Sequence, residues 1–262
     1  MLTRRTIHIY FVMFGLFSAF GLPTPALAID AEALADYQAG KWREAADAAS
    51  RLHDPDNLAF AARSLLASAL LTPTNRTRAA DIVQARQFAE AALISQPRHI
   101  EARLQLATAL GLQARAGSPV RAFAAGLPQR VRRLLDGVLK DAPTQAWAFA
   151  LLGGWHLEGL RIGGEAARAM LGVNLAAGKV AFARAMRLDP SIAATPFYFA
   201  ASLLALNPSA NATEARALLV RAQDTPMRDA FQSEVKSRAS ALIGALDVNG
   251  PAYAATLALG WL

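Results

Sequence analysis

The amino-acid sequence predicts an all-α protein, a right-handed superhelix of antiparallel helix pairs with about five pairs plus a capping helix. Hydrophobic residues make up 54% of the chain, so a sizeable helical core can form. Apolar and small residues recur every three or four positions, which is the spacing of one helix face. Prolines follow or open successive helix pairs at intervals of 36–47 residues: Pro55, Pro97, Pro143, Pro190 and Pro226.

The stretch 145–190 is the best-formed pair. Its first helix places Phe149, Leu152, Gly153 and His156 on one face, and its second helix places Gly178, Phe182 and Ala185 before the closing proline. This order of large, small and aromatic residues is typical of tetratricopeptide-like repeats, whose standard length is about 34 residues. The connection 160–178 is long and contains four glycines, so it is either a lid or a second short helix that fills the end of the groove.

Residues 1–28 have the pattern of a secretory signal peptide. Arg4 and Arg5 precede an apolar run from Ile7 to Leu22, and small residues reach Ala28 after two prolines. We expect cleavage after Ala28, a periplasmic location and no stable membrane span in the mature chain. A retained anchor is the alternative, but the run is shorter than the roughly 20 residues of a membrane-spanning helix. The remaining chain divides into a helical-repeat domain, 29–248, and an apolar C-terminal tail, 249–262.

The first half of the mature chain supplies six helices in order. Gly40 separates two short helices within 30–52, and Asp54 with Pro55 caps a helix that ends near Leu71. The loop 72–75 follows, and then a helix from Arg78 to Gln96 with an alanine face. The next pair comprises a helix from Ile100 and, after residues 117–127, a basic helix that ends before Pro143.

The second half supplies the stretch 145–190 and three further helices. We predict these at 195–206, 213–224 and 226–248, the last one acting as the cap. The tail 249–262 is expected to fold back or fray. The additional residues at 117–127 and 159–176 both connect the two helices of a pair, so they should emerge on one edge of the superhelix, and insertions on one face commonly serve function.

Composition excludes several classes of function. The chain has no cysteine, which removes disulfides and thiolate chemistry, and its formal net charge of +7 is spread out without a basic aromatic motif, so no nucleic-acid partner is expected. The four histidines have no metal-ligand spacing, and no nucleophile or phosphate-loop motif occurs. We therefore expect no metal, no cofactor and no catalysis.

The inner wall of the superhelix is predicted to be apolar. Its residues lie one helical turn from the packing face of each first helix: Leu104, Leu112, Trp147, Ala150, Leu157, Phe197 and Leu204, interspersed with Thr108, Gly154 and Ala201. Two interpretations remain open. Either the superhelix is tight and these residues pack on one another, or they form a hydrophobic cleft that suits an acyl chain or a flat lipid.

A basic segment precedes the stretch 145–190. Arg121, Arg130, Arg132 and Arg133 alternate with apolar residues, a pattern that can contact a lipid headgroup or an anionic membrane surface. The alternative is a solvated helix face beside a buried one.

The order and spacing of several blocks between Pro97 and Leu246 resemble the tetratricopeptide-like domain of the regulator of microtubule dynamics family. The blocks are 116–118 with the basic helix ending at 141–143, 151–158, 169–172 and 182–190. The resemblance implies an all-helical superhelix and, from the eukaryotic tether of that family, phospholipid binding and transfer. A more distant similarity is to the periplasmic T component of TRAP transporters. Tethering motifs of the eukaryotic proteins have no counterpart here.

Together these observations favour a non-enzymatic periplasmic helical-repeat protein that binds a phospholipid or another apolar small molecule, for example within an envelope transport system. The alternative is an adaptor that docks an envelope protein in the groove.

Overall fold

A computed structural model describes residues 29–72 and 77–262 of the chain, and this part is all-α, with thirteen helices and no strand. The helices are α1 Ala31–Gln38, α2 Trp42–Ser50, α3 Pro55–Leu71, α4 Arg78–Ser95, α5 Ile100–Ala116, α6 Pro119–Ala124, α7 Leu127–Asp141, α8 Ala146–Leu171, α9 Leu175–Leu188, α10 Ala194–Leu206, α11 Pro208–Gln223, α12 Ala230–Val248 and α13 Pro251–Leu259. The predicted signal peptide, 1–28, lies outside the described residues, and so does most of the predicted loop 72–75. No helix in the described ranges combines the length and the apolar character needed to cross a bilayer.

Helix starts follow the capping residues. Asp54 accepts a hydrogen bond from the Asn57 amide at 3.0 Å, and α3 begins at Pro55 as predicted. Two predicted starts are wrong because the helix begins directly after an N-cap residue that the prediction did not identify. Asn207 caps α11, which begins at Pro208 instead of residue 213, and Asp229 caps α12, which begins at Ala230 instead of residue 226.

The predicted connection 160–178 is largely helical. Helix α8 continues to Leu171, and the non-helical link to α9 shrinks to residues 172–174. The helix is broken at Gly164, whose φ of 52° and ψ of −133° suit only glycine. After the end of α8 the chain lies again beside the middle of this helix, where the Asn174 amide donates to Nδ1 of His156 at 3.2 Å. The segment 165–171 therefore corresponds to the second short helix, one of the two predicted alternatives.

Helices α8, α9 and α10 pack through a close contact. A Cβ atom at Gly153 would lie 2.5 Å from the ring of Phe182, so this position has room only for hydrogen. The Phe182 ring stacks on Phe199 of α10 with centroids 4.6 Å apart. The glycine and the two rings together fix the distance between the three helices.

Polar contacts between pairs recur at a repeat-like separation. His99 lies 2.9 Å from Asp56, Arg63 donates to Glu101 at 2.7 Å, and Arg103 donates to Asp141 at 2.7 Å. The partners are 38 to 43 residues apart in the chain, which agrees with the spacing of the helix pairs. The right-handed superhelical course itself stays a prediction.

The first and last helix pairs meet. Helices α3, α5, α8, α10 and α12 contact one another in a ring, and α12 also contacts α1. Arg238 of α12 closes the ring by donating from Nη1 to the Leu70 carbonyl and from Nη2 to the Leu71 carbonyl, both at 2.9 Å. The start of the chain therefore covers the inner face of α12, while Ser233, Ser237 and Ser240 on its other face are exposed. The capping role of α12 stays a prediction.

The C-terminal tail is an ordered part of the core. Helix α13 packs on α10 and α12, and Ala254, Ala258 and Leu262 are buried there. The tail therefore folds back on the preceding helices, which is one of the two predicted alternatives.

Candidate functional site

The ring of helices surrounds a cavity of about 920 Å³. This volume lies near the upper end of the range of about 300–1,000 Å³ that is typical of small-molecule pockets. Helices α3, α5 and α8 contribute most of the wall, while α10, α12 and Leu262 close one side.

Most of the wall is apolar. It contains leucine and aromatic side chains from four helices: Leu66, Leu70, Leu104, Leu112, Trp147, Leu151, Trp155 and Phe231. Gly111 and Gly154 also face the cavity, and a Cβ atom at either position would meet nothing within 4 Å. The space is therefore open next to the backbone of α5 and α8.

The cavity reaches the surface between α6 and the distal part of α8. Val120 and Met170 both line it there, although they are 78% and 63% exposed. The two insertions that the sequence marked as extra, 117–127 and 159–176, thus border the same opening. An apolar rim at the mouth suits the entry of an apolar molecule.

One polar group of the wall is centred on Arg63. Its Nε donates to Oε1 of Glu101 at 2.7 Å, and the same oxygen accepts from Gln105 at 2.8 Å. Burial lowers the pKa of Arg63, but the carboxylate of Glu101 outweighs this and the pKa is raised. Burial raises the pKa of the neighbouring Tyr37 phenol, with the charge of Asp229 adding to the rise. The positive charge of the Arg63 guanidinium is therefore neutralised by the Glu101 carboxylate.

A second polar group is centred on Arg115, at the C-terminal end of α5. Its Nε and Nη2 both lie 2.8 Å from Oε1 of Glu158. Arg161 approaches the same carboxylate, with Nε 2.7 Å from Oε2 and Nη2 2.8 Å from Oε1. Two guanidinium groups therefore share one carboxylate.

The pKa values of this second group reflect that imbalance. Burial raises the pKa of the Glu158 carboxyl, but the hydrogen bond from Arg161 and the charges of both arginines outweigh it, so the pKa is lowered. Burial lowers the pKa of Arg115, and the charge of Arg161 lowers it further against the attraction of Glu158. Glu158 is thus held as a carboxylate.

Part of the predicted inner wall lines the cavity. Leu104, Leu112, Trp147 and Ala150 are on it, as are Thr108 and Gly154. Leu157, Phe197 and Leu204 are not on it, since they pack in the core around α10. Ala201 is buried in the same core.

The difference is a shift of one residue in helix phase. On α10 the wall is formed by Ala194, Tyr198 and Ser202, and on α8 it continues from Gly154 to Glu158. Glu158 lies four residues after Gly154, whereas the predicted wall residue Leu157 lies three residues after it. The predicted wall follows the frame of the packing stripe, and this frame omits charged residues of the wall such as Arg115.

The four arginines of the basic segment do not line the cavity. Arg130 pairs with Glu90 at 2.8 Å, and Arg132 pairs with Asp136 at 2.8 Å while lying over the Trp155 ring. Arg121 and Arg133 are exposed. Two of the four are thus engaged in the helix packing of α4, α7 and α8.

Histidine and carboxylate groups do not gather into a metal-binding cluster in the described ranges. His156 is buried and accepts the Asn174 amide through Nδ1, and burial followed by the charge of Arg132 lowers its pKa. Its position supports the return of the chain after α8.

Comparison of the chain with protein-family models gives no match, and comparison with the curated proteins gives none either. The resemblance to the regulator of microtubule dynamics family and to the T component of TRAP transporters therefore stays a prediction from the residue blocks.

Proposed function

We propose that the protein binds a lipid or another apolar ligand inside the ring of helices and does not act as an enzyme. The observation that supports this most directly is the cavity of about 920 Å³ with its mainly apolar wall and apolar rim. Burial of apolar surface contributes roughly 25 cal/mol per Å², so an acyl chain in this space gains affinity without many polar contacts.

The setting of this activity is also part of the proposal. The pattern of residues 1–28 favours export to the periplasm, and there the protein would hold its ligand or present it to an envelope transport system. The predicted tetratricopeptide-like, right-handed superhelical arrangement belongs to the same proposal, because stacked helix pairs commonly enclose a concave binding surface.

The test fills the cavity from two helices. Gly111→Leu with Gly154→Leu places side chains in open space on α5 and α8. Replacing helical glycine stabilises a helix by roughly 0.5–1 kcal/mol, so unfolding is not expected. Gly244→Leu is the matched control, because Gly244 is helical, exposed and remote from the cavity wall, with nothing near its Cβ position.

The readout is the lipid that co-purifies with the protein from its own periplasm, measured by native mass spectrometry and solvent extraction, together with uptake of added phospholipid. We expect the double variant to lose at least about four fifths of the ligand that the wild type and Gly244→Leu carry. Equal ligand in all three proteins would overturn the proposal. A protein partner that co-purifies with all three, in the absence of any lipid, would favour the adaptor alternative.

A further inference from the structure

The cavity wall around Arg115 carries more positive charge than its neighbours neutralise. We propose that this end of the cavity binds the acidic head group of a single-chain amphiphile, a carboxylate or a phosphate ester, whose tail fills the apolar remainder. The inference rests on the function proposed above and specifies the chemistry of the ligand.

The two guanidinium groups occupy the acceptor positions of the Glu158 carboxylate. The Glu158 carboxylate faces four guanidinium nitrogens, Nε and Nη2 of both Arg115 and Arg161, and a carboxylate has about four acceptor positions. Nη1 of Arg115 is buried and has no hydrogen-bond partner. Because an arginine remains charged, this nitrogen needs an acceptor that an acidic head group supplies.

A tyrosine hydroxyl lies on the same wall. Oη of Tyr198 is also buried without a hydrogen-bond partner, and Tyr198 lines the cavity. Burial raises the pKa of this phenol, while the charges of Arg238, Arg115 and Arg78 oppose the rise. The hydroxyl therefore stays protonated at neutral pH in a positive environment, where it can donate to an anion.

The Arg63 group differs from the Arg115 group in its charge balance. There the guanidinium has the carboxylate of Glu101, and the charge of Asp229 also acts on it. The Arg63 end of the wall is therefore balanced in charge, whereas the Arg115 end keeps an excess of positive charge. An acidic head group is directed to Arg115, and the tail extends along Leu104, Leu112 and Trp147.

The size of the cavity supports one chain. A volume of about 920 Å³ is that of a pocket for a drug-sized molecule, and the wall offers one pair of unpartnered donors, on Arg115 and Tyr198. One head group and one tail match these two features.

The test compares three probes of equal chain length: laurate, dodecyl phosphate and dodecanol. Binding to the full chain is followed by titration calorimetry and by the fluorescence of Trp147 and Trp155, which line the cavity. We expect the wild type to bind at least one acidic probe about tenfold or more tightly than dodecanol, and Arg115→Gln to abolish that advantage while leaving dodecanol unchanged. The tighter acidic probe identifies the head group.

Arg63→Gln is the matched control and should change the affinity for all three probes by less than about threefold. Equal binding of dodecanol and both acidic probes to the wild type, or an equal loss in Arg63→Gln and Arg115→Gln, overturns the acidic head group. Failure of all three probes to bind instead contradicts the proposed function.

If Arg115→Gln does not fold, Tyr198→Phe serves in its place. It should weaken the acidic probe about threefold to tenfold and leave dodecanol unchanged, because it removes only the donated hydrogen bond. No change for the acidic probe would overturn the assignment of Tyr198 and Arg115 to the head group.

Discussion

Arg63 and Arg115 lie on the wall of one cavity, and both contact a glutamate of the next inner helix, Glu101 on α5 and Glu158 on α8. They differ in what else reaches that glutamate. Glu101 also accepts from the neutral Gln105, whereas Glu158 also accepts from the charged Arg161. The same inter-helix contact is therefore balanced in charge at one end of the cavity and positive at the other.

This difference separates a structural ion pair from a candidate binding group. An arginine with its own carboxylate holds two helices together and has little left to offer a ligand. An arginine that shares a carboxylate keeps an unpaired donor, here Nη1 of Arg115. The candidate binding group is therefore recognised by the unpaired donor of Arg115, and not by the presence of an arginine alone.

Replacement of either glutamate should change the free energy of unfolding more than the other substitutions considered below. Glu158→Gln leaves two guanidinium groups without a counter-charge and should lower the free energy of unfolding by about 2–3 kcal/mol. Glu101→Gln strands one arginine and should cost about 1–2 kcal/mol. Urea denaturation of both variants measures the difference. Added acidic amphiphile should restore stability in Glu158→Gln only, and a larger loss in Glu101→Gln would contradict the comparison.

The contribution of Glu158 to the free energy of unfolding should depend on pH. Its pKa in the folded protein lies below the ordinary value of 4.5. The contribution of the carboxylate to stability is therefore fully present above about pH 4.5 and is lost as the pH falls through the folded-state pKa. Thermal unfolding of the wild type and Glu158→Gln should show a constant difference at about pH 6–7 and a shrinking one toward pH 3. A difference that grows on acidification would contradict the sign of the shift.

The smallest effect concerns the unpartnered hydroxyl. Tyr198→Phe removes a buried group that has no hydrogen bond, so in the absence of ligand the free energy of unfolding should stay within about 0.5 kcal/mol of the wild type or rise slightly. Chemical denaturation measures this, with Tyr37→Phe as the matched change at the Arg63 end. A loss above about 1.5 kcal/mol would show that the hydroxyl has a partner in the folded protein.

Local signals in the sequence predicted the helices well where capping and periodicity agree. Asp54 with Pro55 located the start of α3, and the alanine face of 78–96 located α4 within one residue. The signals failed where a cap was taken for a turn, at Asn207 with Pro208. In that segment the side chain of Asn207 accepts from the Ala210 amide and starts the helix at once.

The cavity wall was predictable in part. The frame of the packing stripe located Leu104, Leu112, Trp147 and Ala150, but it omits polar residues that also line the cavity. Tyr198 and Glu158 each lie one residue from a predicted position, Phe197 and Leu157. A helix turns about 100° per residue, so this shift exchanges a core position for a cavity position. Neighbouring helices set that phase, and their packing is not readable from one segment.

Arg238 contacts the carbonyls of Leu70 and Leu71, which precede it in the chain by 168 and 167 positions. In an open array of repeats each unit touches only its neighbours, so a unit can be added or deleted at an end during evolution, and folding can begin anywhere and spread. A closed array has neither freedom. Its number of pairs is fixed by the circumference, and the closing contact forms late because it joins distant parts of the chain. The volume of the cavity therefore depends on all the helices of the ring together, and not on any one pair.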